Sequence, residues 1–168
     1  MKNSLCLILS FLFVSIGHAQ LASPNDSGVT FGHVHLNVSD IEEHKQIWVD
    51  HFNGTIVEKG SHSVIKLPNM LITLTQQKPT MDSIETAMHH FGFKVRRMDK
   101  FLDKWRADGL QVGSMFLGAE GQLNAYVTLP DGVEVEMQED RGLQEEITGY
   151  HVHWFVDDAV DILAWYVD

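Results

Sequence analysis

The chain has 168 residues, of which 44% are apolar, and this suits one globular domain of ordinary size. The formal net charge of -11 argues against binding to nucleic acid or to an anionic membrane surface, because both require a cationic face. The single cysteine, Cys6, lies in the apolar N-terminal stretch. Disulfides, thiolate catalysis, zinc fingers and iron–sulfur clusters are therefore excluded for the remainder of the chain.

The N-terminal stretch is typical of a secretory signal peptide. Lys2 gives a positive start, Leu5 to Ile16 is an apolar run, and Gly17-His18-Ala19 supplies small residues where a signal peptidase reads. We predict that residues 1–19 are a signal peptide and that the protein is secreted or periplasmic. The polar leader that follows, residues 20–28, is predicted to be disordered.

Residues 29–76 predict one strand, one helix and then three further strands. The first strand alternates so that His33 and His35 share one face. Asp40 follows this strand and is placed to cap the helix. Three short strands with turn residues between them complete the unit.

After a polar linker, residues 86–140 repeat this order of elements. The strand that begins at His90 leads into a helix, for which Asp99 is the predicted cap. The last two strands meet at a Pro-Asp-Gly turn, and the second of them places Glu134 and Glu136 on one face. The second unit therefore matches the first, element for element.

A sequence motif shared by the first strand of each copy identifies the repeated unit. His33, His90 and His151 are each followed by a large apolar residue three places on and by Val two places after that. Residues 29–140 are therefore predicted to form one α+β domain of paired βαβββ modules. Residues 141–168 are predicted to be a connector and the start of a further, truncated module, whose strand has nothing to pair with. A terminal strand and helix packed on the main domain is the alternative.

The repeat also brings candidate metal ligands into register. His33 and His90 open the first strands of their units, and Glu134 and Glu136 share a face of the last strand. Two imidazoles and one carboxylate from three strands suit a divalent metal with open positions, such as Fe(II), Zn, Ni or Mn. A single histidine is more often an ordinary surface or core residue, so the recurrence of His at one point of the repeat favours the site.

The repeated opening and the segment PDGVEVEMQ resemble the vicinal oxygen chelate superfamily, which includes glyoxalase I, extradiol dioxygenases and proteins of fosfomycin and bleomycin resistance. The resemblance implies a mixed sheet of paired βαβββ modules, curved into a cup around a metal. It implies that His33, His90 and Glu136 are the metal ligands. His35 and Glu134 are then expected to line the cup or to serve as alternative ligands.

The resemblance also implies a function. Glyoxalase I would place a further ligand near Thr73 or Thr75, but Met70–Thr75 contains no Glu, Gln or His. The expected protein is an enzyme that binds a small oxygenated substrate by chelation to the metal, closer to the three-ligand plan of the dioxygenases. A glyoxalase-like lyase or isomerase is one alternative, and a metal-free small-molecule-binding module of the bleomycin-resistance type is another. A homodimer is possible, and no catalytic base is identified.

Overall fold

The computed structural model of the chain describes residues 23–24, 26, 28, 30, 32–60 and 62–167. The predicted signal peptide, residues 1–19, lies outside the described residues, as does part of the predicted leader. Within the part of the chain that the structure describes, no helix is both long and apolar enough to cross a membrane.

The first unit folds as a four-stranded mixed sheet with one helix. Its elements are β1 (His33–Val38), α1 (Ile41–Phe52), β2 (Thr55–Lys59), β3 (His62–Leu67) and β4 (Met70–Gln76). The strand order is β1-β4-β3-β2, in which β1 lies parallel to β4 and the other pairs are antiparallel. This is the strand, helix and three strands that the sequence predicts.

The second unit repeats this arrangement and gains one strand. Its elements are β5 (Met88–Val95), α2 (Met98–Ala107), β6 (Gln111–Leu117), β7 (Leu123–Leu129) and β8 (Val133–Glu139), followed by β9 (Ile147–Trp154) and α3 (Ala159–Val167). The sheet has the order β6-β7-β8-β5-β9, with β5 parallel to β8. Two mixed sheets with three helices confirm the predicted α+β class.

The third copy of the repeated motif, which begins at His151, lies in a strand of the second sheet. The strand β9 pairs antiparallel with β5, so that His153 lies opposite His90 and His151 lies opposite Gly92. The prediction that this strand has nothing to pair with is therefore wrong. The physical reason is that the first strand of a βαβββ unit has one edge free after pairing with the last strand of the unit. Paired backbone groups on that edge are more stable than buried unpaired ones.

A common apolar core lies between the two sheets and the first two helices. On β1, Val34, Leu36 and Val38 are buried, whereas the alternating histidines are exposed. The fully buried ring of Trp48 on α1 lies 6.1 Å from the ring of Phe91 on β5, measured between centroids. Replacing such a buried tryptophan by alanine typically costs about 3–5 kcal/mol. Packing of α1 against β5 therefore holds the two units together.

The helices α1 and α2 differ in how their N-terminal backbone N–H groups are capped. The side chain of Asp40 accepts hydrogen bonds from the backbone N–H of Glu42 and of Glu43, so the predicted cap of α1 is confirmed. The predicted cap of α2 is wrong, because that helix starts at Met98, one residue before Asp99. The N–H of Met98 instead donates to the carboxylate of Glu139 across a distance of 3.3 Å.

A polar junction ties the first unit to the Pro-Asp-Gly turn of the second. The carboxylate of Asp131 accepts hydrogen bonds from the backbone N–H of Ser39 at 2.7 Å and from its hydroxyl at 2.6 Å. The same carboxylate lies 3.4 Å from Nε2 of the fully buried His44. Burial lowers the pKa of His44 more than the nearby Asp131 raises it, so the imidazole is held neutral.

We expect the free energy of unfolding to fall as the pH drops below about 6.5. Burial lowers the pKa of His44, and burial together with Lys104 lowers the pKa of His51, both from an ordinary value of 6.5. Between that value and the lower folded-state pKa, the unfolded chain binds more protons than the folded chain, so acid favours unfolding. Denaturant titrations from about pH 7.5 to about pH 5.5 measure this slope.

Two variants separate this effect from other titrating groups. The His44→Gln variant should show a shallower loss of stability with falling pH, because it lacks one of the two buried imidazoles. The His62→Gln variant removes an exposed histidine at the start of β3 and should keep the wild-type slope. A His44→Gln profile that runs parallel to the wild-type profile would show that His44 does not contribute.

Candidate metal centre

The register of three strands brings polar side chains together on one face of the second sheet. Parallel pairing of β5 with β8 sets Gly92 opposite Glu136, and antiparallel pairing of β5 with β9 sets Gly92 opposite His151. A Cβ atom at Gly92 would lie 2.8 Å from Nδ1 of His151. The imidazole therefore lies directly over the glycine, in space that any side chain would fill.

One carboxylate oxygen is the meeting point of this cluster. His90, Glu136 and His151 each offer one ligand atom, and the three atoms lie within 4.8 Å of one another. Nε2 of His90 lies 2.9 Å from Oε2 of Glu136, and Nε2 of His151 lies 3.3 Å from the same oxygen. Ligands held at about 2.0–2.2 Å from one metal are roughly 3 Å apart. The donor set and its spacing thus fit a divalent metal.

Neighbouring side chains fix the orientation of the candidate ligands. Nδ2 of Asn124 donates to Oε1 of Glu136 at 2.6 Å, which leaves Oε2 facing the imidazoles. Nδ1 of His89 lies 2.8 Å from Nδ1 of His90, and Nδ1 of His153 lies 3.2 Å from Nε2 of His90. The contact at Nδ1 of His90, on the side of the ring away from the candidate ligand atom Nε2, is of the kind that sets the tautomer and ring orientation of metal-binding histidines.

The electrostatics of the cluster favour an ionised Glu136 carboxylate. Burial opposes ionisation of Glu136, but the hydrogen bonds from His151 and His90 outweigh it and lower the pKa of the carboxyl. Burial, together with Glu136 and Glu134, raises the pKa of Tyr126 to about 12. Burial and the neighbouring His90 and His151 lower the pKa of His153. A negative carboxylate surrounded by imidazoles is prepared to accept a cation.

The structure brings together only part of the predicted ligand set. His90 and Glu136 meet, but His33 lies on β1 in the other sheet, where its ring is 6.4 Å from the ring of His35. His151 occupies the place expected for His33, because β9 rather than β1 lies along the edge of β5.

The two alternative ligands also lie outside the group of three. His35 has Nε2 only 2.6 Å from the hydroxyl of Thr75 in the first sheet. Glu134 is two residues from Glu136 on β8, and its backbone N–H donates to the hydroxyl of Ser83 at 2.9 Å.

Sequence reasoning missed His151, His153, His89 and Asn124 as members of the cluster. A signal for the first two was present, since residues 151–153 repeat the tripeptide His-Val-His of residues 33–35. No sequence signal indicated Asn124, which reaches Glu136 from a neighbouring strand.

Two mixed sheets, one of which carries two histidines and a carboxylate close together on one face, define an α+β protein with a candidate divalent-metal centre. The chain belongs to the Glyoxalase/Bleomycin resistance protein/Dioxygenase superfamily, whose model matches residues 30–167. This confirms the resemblance found in the sequence. A search of curated proteins found no match.

Solved structures with the same fold include proteins of two activities. The fosfomycin resistance protein of Listeria monocytogenes is 16% identical with a TM-score of 0.58, over 70% of this chain and 97% of that chain. The lactoylglutathione lyase of Agrobacterium tumefaciens is 18% identical with a TM-score of 0.52, over 69% and 97%. A mutant of the Listeria protein, complexed with Mn(II) and 1S,2S-dihydroxypropylphosphonic acid, is 18% identical with a TM-score of 0.53, over 68% and 90%.

Proposed function

We propose that the protein is a divalent-metal-dependent enzyme that acts on a small oxygenated substrate. The observation that carries this proposal is the convergence of His90 and His151 on one oxygen of Glu136, within a single sheet face. These three residues would hold the metal. When bound, the metal supplies Lewis-acid chemistry, which polarises substrate oxygens and stabilises negative charge on them.

The residues around the cluster would bind and orient the substrate. Tyr126 borders His90 with ring centroids 5.2 Å apart, and its raised pKa keeps the phenol protonated at neutral pH. A protonated phenol can donate a hydrogen bond to a substrate oxygen on which negative charge develops. Asn124 holds Glu136 in place and so keeps the carboxylate from turning toward the substrate.

The site is suited to two types of reaction. The set of two histidines and one carboxylate is that of the dioxygenases, in which iron(II) leaves positions free for substrate and dioxygen. Addition, lyase or isomerase chemistry on a redox-inert metal is the second candidate. It is favoured by the lactoylglutathione lyase of the same fold and by the Listeria protein complexed with Mn(II) and a phosphonic acid.

Metal analysis of the purified protein, prepared anaerobically, tests the proposal. We expect about one Mn, Fe, Co, Ni or Zn per chain, removable by a chelator, because the three ligand atoms fit one ion. Iron would favour dioxygen chemistry, and the other metals would favour the second candidate. Binding of catechol or phosphonate probes should be lost in the chelator.

Two results would contradict this function. A chain that binds none of these metals after anaerobic reconstitution has no metal-dependent activity. Probe binding that persists fully in the chelator would favour the metal-free binding module. Export and homodimer formation stay predictions, which fractionation and a mass measurement in solution would test separately.

A further inference from the structure

We propose that two copies of the chain associate through α3 and the end of β9, with α3 of one copy packed against α3 of the other. The helix α3 is apolar around most of its circumference, since Asp161 is the only charged residue in the sequence Ala159–Val167. A helix that is apolar on all sides is normally buried. In one copy of the chain, however, Leu163 is 64% exposed and Tyr166 is 62% exposed.

The repeat identifies the face of α3 that should be covered. Counted from the histidine that opens each motif, Tyr166 lies at the position of Trp48 on α1 and of Trp105 on α2. Leu163 likewise lies at the position of Leu102 on α2. The side chains of Trp48, Leu102 and Trp105 are at most 2% exposed, because they pack in the core. The core-facing side of the repeated helix is therefore exposed to solvent on α3.

The first two units show how such a helix face is covered. The ring of Phe52 on α1 lies 5.6 Å from that of Phe101 and 6.0 Å from that of Trp105, both on α2, measured between centroids. Each helix therefore covers apolar residues of the helix in the other unit. The helix α3 follows a third copy of the motif and has no such counterpart within the part of the chain that the structure describes. A second chain supplies one by two-fold symmetry, which is the commonest symmetry of assemblies of identical chains.

The exposed apolar surface is large enough for a stable interface. Four of its side chains are aromatic, and at about 150–250 Å² for each aromatic side chain their exposed parts amount to roughly 500 Å². A standard interface buries about 800 Å² on each partner, and the two aliphatic side chains bring the surface close to that area. The six side chains are 47–81% exposed, and they are Trp154, Phe155, Val160, Leu163, Trp165 and Tyr166. A groove of about 310 Å³ joins the end of β9 to α3, lined by Trp154, Ile162, Trp165 and Tyr166.

The charges beside this surface fit a second copy better than a lipid membrane. Helices that lie on membranes are typically rich in Lys and Arg on their polar side. The sequence from Trp154 to Val167 contains neither, and its charged residues are Asp157, Asp158 and Asp161. In an antiparallel pair of α3 helices these carboxylates lie toward opposite ends of the interface. The apolar faces can therefore meet without bringing like charges together.

Sedimentation equilibrium of the purified protein tests this interface. We expect a concentration-dependent equilibrium between monomer and dimer. The Leu163→Glu variant should dimerise at least about tenfold more weakly, because the dimer would bury an unpaired charge. The Leu117→Glu variant makes the same change at a leucine that is 72% exposed on β6, at the opposite edge of the sheet from β9. It should dimerise like the wild type.

Acrylamide quenching of tryptophan fluorescence gives a second measurement on the unaltered chain. Dilution from dimer to monomer should increase the quenching, because it uncovers Trp165, which is 75% exposed in one copy. The increase should be smaller in the Trp165→Phe variant. Trp48 and Trp105 are buried within each copy and should contribute an unchanged signal.

Three results would overturn the proposal. The first is a protein that stays monomeric at every concentration. The second is a dimer that Leu163→Glu and Leu117→Glu weaken equally, or that neither variant weakens, because the interface would then lie elsewhere. The third is flotation of monomeric protein with phosphatidylcholine vesicles that is lost in Leu163→Glu, which would assign the surface to a lipid membrane. None of these results depends on metal binding or on the proposed enzyme function.

Discussion

The His151→Ala variant is expected to lose metal binding, whereas His33→Ala is expected to bind metal like the wild type. Nε2 of His151 lies 3.3 Å from Oε2 of Glu136, within the group of three candidate ligand atoms. Loss of a residue that merely supports a ligand costs about 10–100-fold in metal affinity, so loss of a ligand should cost at least about 100-fold. Competition with a chromophoric chelator measures both affinities.

His33→Ala is a closely matched control. Each substitution removes the first histidine of a His-Val-His tripeptide that lies within a strand. Of these two strands, β9 pairs with β5, whereas β1 lies in the other sheet. Metal loss in His33→Ala with normal binding in His151→Ala would show that β1, and not β9, completes the site in solution. Equal loss of metal binding in both variants would mean that His33 and His151 both bind metal. They would do so either at one site shared by two chains or at two separate sites.

The sequence predicted the fold within each unit because the relevant signals are local. Alternation of apolar and polar residues gave the buried face of β1, and Asp40 marked the start of α1. His90 and Glu136 belong to the first and last strands of one unit. Those two strands pair in the first unit as they do in the second, so the repeat alone predicts that the two residues lie close together.

Contacts between units could not be predicted in the same way. Both β1 and β9 carry His-Val-His, and either strand satisfies the periodicity of a partner for β5. The choice depends on which strand reaches the free edge of β5, which is a property of the connections and the packing.

The predicted start of α2 was also wrong, because a residue distant in the sequence accepts a hydrogen bond from the N-terminus of this helix. Asp99 is a typical cap residue, yet α2 begins one residue earlier. The backbone N–H of Met98 finds its acceptor in Glu139, at the end of β8. A carboxylate from a remote strand thus replaces the local cap, and only the tertiary fold places it there.

The Gly92→Ala variant should weaken metal binding by at least about tenfold while the protein stays folded. Alanine is ordinarily the better residue in a strand, by about 0.5–1 kcal/mol, because glycine loses more backbone entropy on folding. Here the added Cβ would lie 2.8 Å from Nδ1 of His151, closer than real carbon–nitrogen contacts allow. The imidazole is the end of a rotatable side chain, so it should turn away from Glu136 rather than break the sheet. Chelator competition and a thermal melt of the same sample measure the two effects.

The Gly32→Ala variant controls for the substitution itself. A Cβ at Gly32 would have no atom within 4 Å, and this residue lies just before β1, in the first unit. It should therefore change neither metal affinity nor the melting temperature by a comparable amount. If Gly92→Ala binds metal normally, the ring of His151 does not need its position over Gly92. If it unfolds, β9 is held too rigidly against β5 for the ring to move, and the strand pairing contributes stability as well as a ligand.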